Sequence, residues 1–430
     1  MRERLGIIGS GIAGMGCAHF LRQHYDLTLF EAGEHVGGHS NTVTVSENGT
    51  GVPIDTGFMV YNEVTYPLLT RLFKQLKVPT KDTSMSFSVQ HRPSQVEWSG
   101  TDINTLFAQR RNLLNPRHWR FLLQLNRFNK EAVAALDEPQ WTNLTLGDYV
   151  KLRRYGQDFL DRYLIPMSSA VWSTPPEKML QFPARTLLRF WHNHGFLGLD
   201  TRHPWRTVDG GSQEYVKRLI EPFKDRIHTK TPVVSVRRQA SEVEVVTSGD
   251  HASTHRFDRV ILAAHADQSL YMLQDPTELE TTLLRPFAYQ ANDVDLHSDP
   301  QFMPKTQLAW ASWNYRCDTP KPPARSPHLR ASTHYWMNNL QGVSPDNHYF
   351  VSLNTRSDID ANTIHKNLQY DHPLFDLPAI QAQARLPELN RPSPENRTFF
   401  CGSYFRYGFH EDAFKSAVDL CTQILNSDPW

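Results

Sequence analysis

Gly9-x-Gly11-x-x-Gly14, with Glu31 further on, is a spacing of residue types able to hold the pyrophosphate and ribose of a dinucleotide. Gly9 makes a tight turn, Gly11 lets backbone approach the phosphates, and Gly14 lets a helix pack closely on a strand. Ile12 and Ala13, lying between them, begin the helix whose free N–H groups and positive end face the anion. Glu31 and Ala32 close the next strand. An acid there suits an unphosphorylated ribose, as in FAD or NAD, better than a phosphorylated one. A second glycine–helix element lies far along the chain, where Gly402-Ser403 and then Gly408-Phe409-His410 precede a helical pattern. NAD needs only one such turn. A flavin is also served by a positive helix end near N1 and O2 of its ring, where the reduced form carries charge. Two separated elements favour FAD.

These residues need elements to position them. Leu5 to Ile8 is a short apolar run suited to a buried parallel strand, followed by a helix to about Gln23 and a strand from Asp26 to Phe30. Gly37-Gly38-His39 follows, then a strand from Asn41 to Ser46, a turn at Asn48-Gly49, and Asp55-Thr56-Gly57-Phe58-Met59. From Thr65 the pattern turns helical, over Tyr66 to Leu76 and again through Thr105 to Phe190. Gly210-Gly211 opens a helix from Gln213 to about Ile220, and strands are expected at Thr231 to Val236, Glu242 to Val246 and Asp258 to Ala263. Beyond Asp267 the chain mixes strand and loop and is rich in aromatics. Trp313 and Tyr315 alternate on one strand with Trp310 on its other face, and Trp336 lies on the next. Core packing is the usual role of such residues; the alternative is an apolar substrate wall. Thr398 to Gly402 is read as the last strand, leading to a helix ending near Leu425. The expected fold is α/β in two domains. A Rossmann-like FAD-binding domain is assembled from 1–64, 205–268 and 395–430. A substrate domain has a helical part, 65–204, and a sheet part, 269–394.

The 430 residues suffice for two cores, and 45 Lys+Arg balance 45 Asp+Glu, so no overall field points to nucleic acid. No apolar run is long enough to span a bilayer. Met1-Arg-Glu-Arg before an apolar stretch resembles a secretory leader, but fingerprint glycines and the strand ending in Glu31 argue for fold instead. Cys17, Cys317, Cys401 and Cys421 form no CxxC pair and read as reduced thiols of a cytoplasmic protein. His192-x-His194 is the nearest histidine pair and lacks partners at ligand spacing, so no metal is expected. The Pro-rich stretch from Thr319 to Pro327 reads as an ordered surface loop. Thr105 to Lys130 carries five arginines and a lysine interleaved with aromatics and leucines, with no acid. The plainer reading is a helical subdomain with a basic solvated face; the other is a helix lying on an anionic membrane surface.

Together these segments resemble the flavin-containing amine oxidase superfamily, which includes amine oxidases, protoporphyrinogen oxidase and carotenoid-type desaturases. The order is GxGxxG, acid, paired Gly, Asp-x-Gly, central adenine strand, then C-terminal Gly–helix. Gly37-Gly38-His39, Trp310-Ala-Ser-Trp313-Asn-Tyr315, and Phe400-Cys-Gly402 with Gly408-Phe-His-Glu-Asp412 are similar to one branch. It comprises bacterial flavoproteins encoded beside cyclopropane-fatty-acid-synthase-like methyltransferases, and the flavin domain of the plant synthases. The resemblance implies that Gly9, Gly11 and Gly14 take the pyrophosphate and Glu31 the ribose. Gly38 and His39 would lie along the ribityl and pyrophosphate, and Gly57, Phe58 and Met59 near the ring. Val233 would offer backbone to adenine, Gly402 and Ser403 would sit beside the pyrophosphate, and His410 would give its N–H to the pyrimidine edge.

Three departures stand out. The superfamily's Arg-x-Gly-Gly-Arg is His35-x-Gly37-Gly38-His39 here, so two cationic contacts are lost or weakened. Ser403 replaces a common acid. The lysine that amine oxidases hold at flavin N5 aligns with Ser298, beside His297, and the nearest lysine is Lys305. Rapid turnover with oxygen, and amines as substrates, are thereby put in question. The expected activity is an FAD-dependent oxidation taking a hydride from carbon of a lipophilic substrate, a fatty acyl or methylated acyl chain. Tyr404, Tyr407 and His297 are candidates for shaping or proton work, although packing would explain each equally well. An amine oxidase, an FAD-bound non-catalytic partner of a lipid methyltransferase, and a colourless NAD-linked dehydrogenase are the alternatives. A cytoplasmic location fits, with peripheral contact at the inner face of the membrane.

Overall fold

Five short parallel strands carry the glycine loops, in the spatial order Thr398–Phe400, Arg259–Leu262, Arg4–Ile8, Asp26–Phe30, Ile227–His228. The central three are almost wholly buried, as apolar strands covered on both faces must be. On one face lie the helices Ile12–Leu21, Gln213–Ile220 and His410–Leu425. The other face is covered by an antiparallel meander, Val233–Arg238, Val243–Thr247 and Thr254–Phe257, whose Phe257 ring sits directly over Gly6. The computed structural model describes residues 2–198, 201–319, 330–391, 393 and 396–430. The Pro-rich stretch expected as a surface loop lies outside these residues save for Thr319, as does the boundary expected between 394 and 395.

A hairpin of Thr42–Glu47 and Thr50–Asp55 leaves the first sheet through Asn48 and Gly49, both at positive φ. That pair is the dipeptide a two-residue hairpin turn requires. The second sheet has seven strands, ordered Ile364–Leu374, Ala288–His297, Phe350–Leu353, Arg330–Trp336, Trp313–Asp318, Phe87–His91, Val96–Ser99. Its two last strands lie within 65–204, expected as the helical part, and correct that expectation. Phe87–His91 pairs in parallel with Trp313–Asp318, and Thr80–Thr83 pairs with Trp205–Val208. Both Phe87–His91 and Val96–Ser99 are buried on their two faces, so neither shows the polar alternation that marks a half-exposed strand. Helices Pro116–Ala135, Leu146–Leu152 and Ala184–Asn193 pack over this end around Phe121, Phe128, Tyr149, Tyr163 and Trp191. The fold is a two-domain mixed α/β architecture with a parallel sheet flanked by helices. Among the described residues no helix is long and apolar enough to cross a membrane. All four cysteines are free and buried.

Candidate active site

The carboxyl ends of the parallel strands and one face of the mixed sheet enclose a single cavity of about 850 Å³. Strand ends of this kind are where open α/β sheets bind ligands. Gly9 turns at φ +100°, and a Cβ there would lie 2.6 Å from the Ala263 carbonyl oxygen. A Cβ on Gly14 would lie 1.9 Å from the Gly9 oxygen. Both glycines therefore let chain pass chain, and Gly14 stands behind the lining. Gly11 differs: a Cβ there would meet nothing within 4 Å, so its backbone faces open cavity. The helix from Ile12 has no side-chain cap and no acid in its first turn. Its leading N–H groups are left for an anion.

Glu31 is tied into this loop. Its Oε2 accepts from the Ser10 N–H (3.1 Å) and hydroxyl (2.5 Å), and its Oε1 accepts from the Gly33 N–H at 2.7 Å. Three of the roughly four acceptor positions of a carboxylate are used, leaving one for a ribose hydroxyl. Ala32 and Val233 line the same end. The Gly37–Gly38 loop crosses over Gly11, with Gly37 N–H donating to the Ser10 carbonyl at 3.1 Å.

In place of the two cationic side chains expected from relatives stands a set of neutral imidazoles. His39 packs 4.8 Å from the Tyr370 ring and 5.4 Å from His372, and His265 stacks on Tyr289 at 4.2 Å. Burial, then the neighbouring histidines, hold His39 well below its ordinary range, and the same causes bring His372 to about 4. Burial also lowers His265. Neutral rings can donate N–H bonds to phosphate without the cost of a buried unpaired cation. His35 is spent on backbone, 3.1 Å from the Gly38 oxygen.

Phe58 donates its N–H to the His39 carbonyl (2.7 Å), and its ring stacks on His410 at 4.0 Å. His410 Nε2 lies 2.7 Å from the Tyr215 hydroxyl, which lies 2.5 Å from Ser40 Oγ, so the imidazole is held at its Nε2 edge. Gly57, Met59, Gly402, Ser403, Gly408 and Phe409 also line the cavity. The helix from His410 is less bare than expected. Asp412 accepts the Phe409 N–H at 3.0 Å, and Glu411 accepts the N–H groups of Leu68 and Leu69 at 2.9 Å each. Burial pushes Asp412 up to about 6 and Glu411 up to about 7. These two acids temper the positive helix end on which the expectation relied.

The aromatic wall is only partly the one expected. Trp313 lines the cavity together with its cross-strand neighbour Tyr335. Trp336, one residue on, points through the opposite face, where it packs edge-on to Trp310 at 5.3 Å. Trp310 precedes its strand and does not alternate with Trp313 on it. Tyr315 shares the face of Trp313 but is buried against Ala170 and Cys317, beyond the cavity. The rest of the wall comes from the helical part, through Val171, Trp172, Phe190 and Phe196, with Trp205 and Tyr66.

The side chains expected to move protons fare differently from one another. Tyr404 lines the cavity, and its hydroxyl is buried without a partner among the described residues. Tyr407 does not line it; its carbonyl accepts from Trp172 Nε1 at 3.1 Å. His297 lies through the far face of the sheet, bonded to Ser352 Oγ at 2.6 Å, which also bonds His334 at 2.7 Å. Alternation along Ala288–His297 puts Val294 inside and His297 out. Lys305 donates its N–H to Glu97, and neither it nor Ser298 lines the cavity. No lysine or arginine does so among the described residues. His194 was not expected there. Its Nδ1 lies 2.9 Å from the Phe190 carbonyl and must donate, which leaves Nε2 as an acceptor, and burial lowers the ring to about 4. The signal available in sequence was its place on the apolar face of the helix Ala184–Asn193, one residue past the helix end. For Tyr370 and His372 the signal was period-two spacing on one strand.

Residues 12–425 match the model of the flavin containing amine oxidoreductase family. No curated protein matches the sequence. Solved structures with this architecture include putrescine oxidase bound to putrescine, at 13% identity and TM-score 0.68, covering 99% of each chain. Cyclohexylamine oxidase from Brevibacterium oxydans IH-35A is 14% identical with TM-score 0.68, covering 99% of this chain and 100% of its own. A CLA-producing fatty acid isomerase from P. acnes is 14% identical with TM-score 0.66, covering 98% of each.

Proposed function

Because the chain belongs to the flavin-containing amine oxidoreductase family and is an FAD-dependent oxidoreductase, we propose that it takes a hydride from carbon of a lipophilic substrate, a fatty acyl or methylated acyl chain. The observation that carries this reading is the composition of the cavity. Its walls include Trp313, Tyr335, Trp172, Phe190, Phe196 and Leu353. The acids that line it are Glu31, Asp267 and Asp371. Glu31 is bonded into the glycine loop, and the other two act on His265. An alkylammonium substrate finds no carboxylate in the aromatic part; a methylene chain finds apolar surface worth about 0.8 kcal/mol per buried CH₂. A fatty acid isomerase shares this architecture, which supports the reading.

FAD, when bound, supplies the hydride acceptor. The chain's own residues hold the substrate carbon in place and keep water out, which is where positioning contributes most. His194 Nε2, carrying a lone pair in that wall, is the group able to take a proton from the neighbouring carbon, so that loss of hydride and proton leaves a double bond. Anaerobic mixing of the purified protein with methylated and unmethylated acyl lipids tests the proposal by loss of the oxidised flavin absorbance. Bleaching by an acyl lipid, slowed about a hundredfold or more in His194→Ala, is expected. Bleaching by amines alone would overturn the lipid reading and leave an amine oxidase.

A further inference from the structure

The outer side of the basic, aromatic-rich segment Thr105 to Lys130 carries apolar as well as charged residues. Helix Pro116–Ala135 buries Phe121, Phe128, Ala132 and Ala135 against Trp98 and Trp191. On its outer side Trp119 and Leu123, four residues apart, stay 46% and 67% exposed. The preceding turn, Arg110–Leu114, adds Leu113 at 48% and Leu114 at 91%. These residues form one patch. Trp119 Nε1 donates to the Leu113 carbonyl at 2.9 Å, its ring lies 5.0 Å from Phe107, and Arg110 binds the Phe107 carbonyl at 3.1 Å. Asn115 caps the helix by accepting the Arg117 N–H at 3.1 Å, so the apolar turn is held in place by structure behind it. Exposed apolar residues grouped together, rather than scattered singly, point to an interaction site.

Charge says what interacts. Around the patch lie Arg110, Arg111, Arg117, Arg120, Arg127 and Lys130. Arg117 is paired with Asp158 at 2.5 Å and Arg127 with Glu131 at 3.6 Å. Among the described residues Arg110, Arg111, Arg120 and Lys130 make no ion pair, although Arg110 and Arg111 bond backbone carbonyls. Leucines and a tryptophan in a collar of cations, four of them without an acidic partner among the described residues, match an anionic bilayer surface, with lipid tails for the apolar groups and headgroups for the cations. We propose that this patch is a docking surface for anionic phospholipid, which seats the enzyme on a membrane without crossing it. Helix Pro116–Ala135 packs on Ala184–Asn193, which presents Phe190 to the cavity, so one helical layer separates the docking face from the substrate wall. The proposal does not depend on the substrate assignment, and its test uses no turnover.

The FAD-loaded protein is sedimented with phosphatidylcholine vesicles, with and without phosphatidylglycerol, at low and high salt. Binding to the anionic vesicles alone, weakened by salt, is expected. Charge reversal in Arg111→Glu/Arg120→Glu should lower it about twentyfold or more, taking about a fivefold factor per basic residue near the surface. Leu114→Ser/Leu123→Ser should abolish it, and Val64→Ser, at an exposed apolar position elsewhere, should not change it. Unaltered flavin absorbance and melting show that each variant is folded. Absence of binding to anionic vesicles would overturn the proposal, as would binding that both double variants retain. A dimer of the free protein that Leu114→Ser/Leu123→Ser dissociates, without vesicle binding by the parent, would assign the patch to a second copy instead.

Discussion

Gly11 and Gly14 look alike in sequence and do different work. Alanine at 14 would press on the Gly9 carbonyl, 1.9 Å away, so Gly14→Ala should lose several degrees of melting temperature even without cofactor. Alanine at 11 meets only empty cavity, so Gly11→Ala should melt as the parent does when FAD-free, yet retain little flavin after gel filtration. The reverse pattern would remove Gly11 from the pyrophosphate contact. Tyr404→Phe gives a comparable contrast. Its hydroxyl is buried and unpartnered among the described residues, so removing it should leave melting unchanged or raise it. The motif glycines and Glu31 could be read from the chain because each meets a local steric or hydrogen-bonding demand. His194, His265 and His372 could not, because they converge from separate elements and no local spacing links them.

Elements were readable where one face met water or where a turn had a unique chemistry, as at Asn48-Gly49. Buried strands were readable where they form a continuous apolar run, as in Leu5–Ile8, and hidden where polar residues are buried among the apolar ones, as in Phe87–His91 and Val96–Ser99. The same alternation that put Trp313 inside put Trp336 outside. Trp313→Ala should therefore weaken substrate-induced flavin bleaching. Trp336→Ala should instead cost stability, by about 3 kcal/mol or less given its partial exposure, with bleaching intact; urea melts separate the two. Glu411, on the last helix, caps the helix Pro67–Gln75 through Leu68 and Leu69. Glu411→Ala should destabilise by about 1–2 kcal/mol, measured by chemical denaturation.

Across the whole molecule, Asp55 joins parts distant in sequence. It accepts from Thr42 Oγ1 (2.6 Å), Ser212 N–H and hydroxyl (2.8 Å each) and Gln341 Nε2 (2.7 Å), tying the hairpin and the glycine turn to the short helix Met337–Gln341 that leaves the mixed sheet. Asp55→Ala should cost about 3 kcal/mol or more, since it strands buried donors. Acid should also loosen the fold. Burial lowers His19, His194, His297 and His372 to about 4 and His410 to about 3, and holds His39 and His334 lower than usual. Between their folded values and 6.5 the unfolded chain binds more protons, so stability falls as pH drops from about 6.5 to 4. Asp55 and Asp412, raised to about 6, and Glu411, raised to about 7, act oppositely, their contribution being lost as pH rises through those values. Seven imidazoles outnumber three carboxyls, so melting temperature should decline from pH 6.5 to 4; a flat or rising profile would contradict this.

Thr398–Phe400 pairs with Arg259–Leu262, which pairs with Arg4–Ile8, and the helix from His410 closes the cavity that Gly11 opens. During synthesis the glycine loop must wait for nearly four hundred further residues before its enclosure exists. Cofactor capture thus has to follow the emergence of that helix, and scarcity of riboflavin would be felt as accumulation of an open, cofactor-free chain.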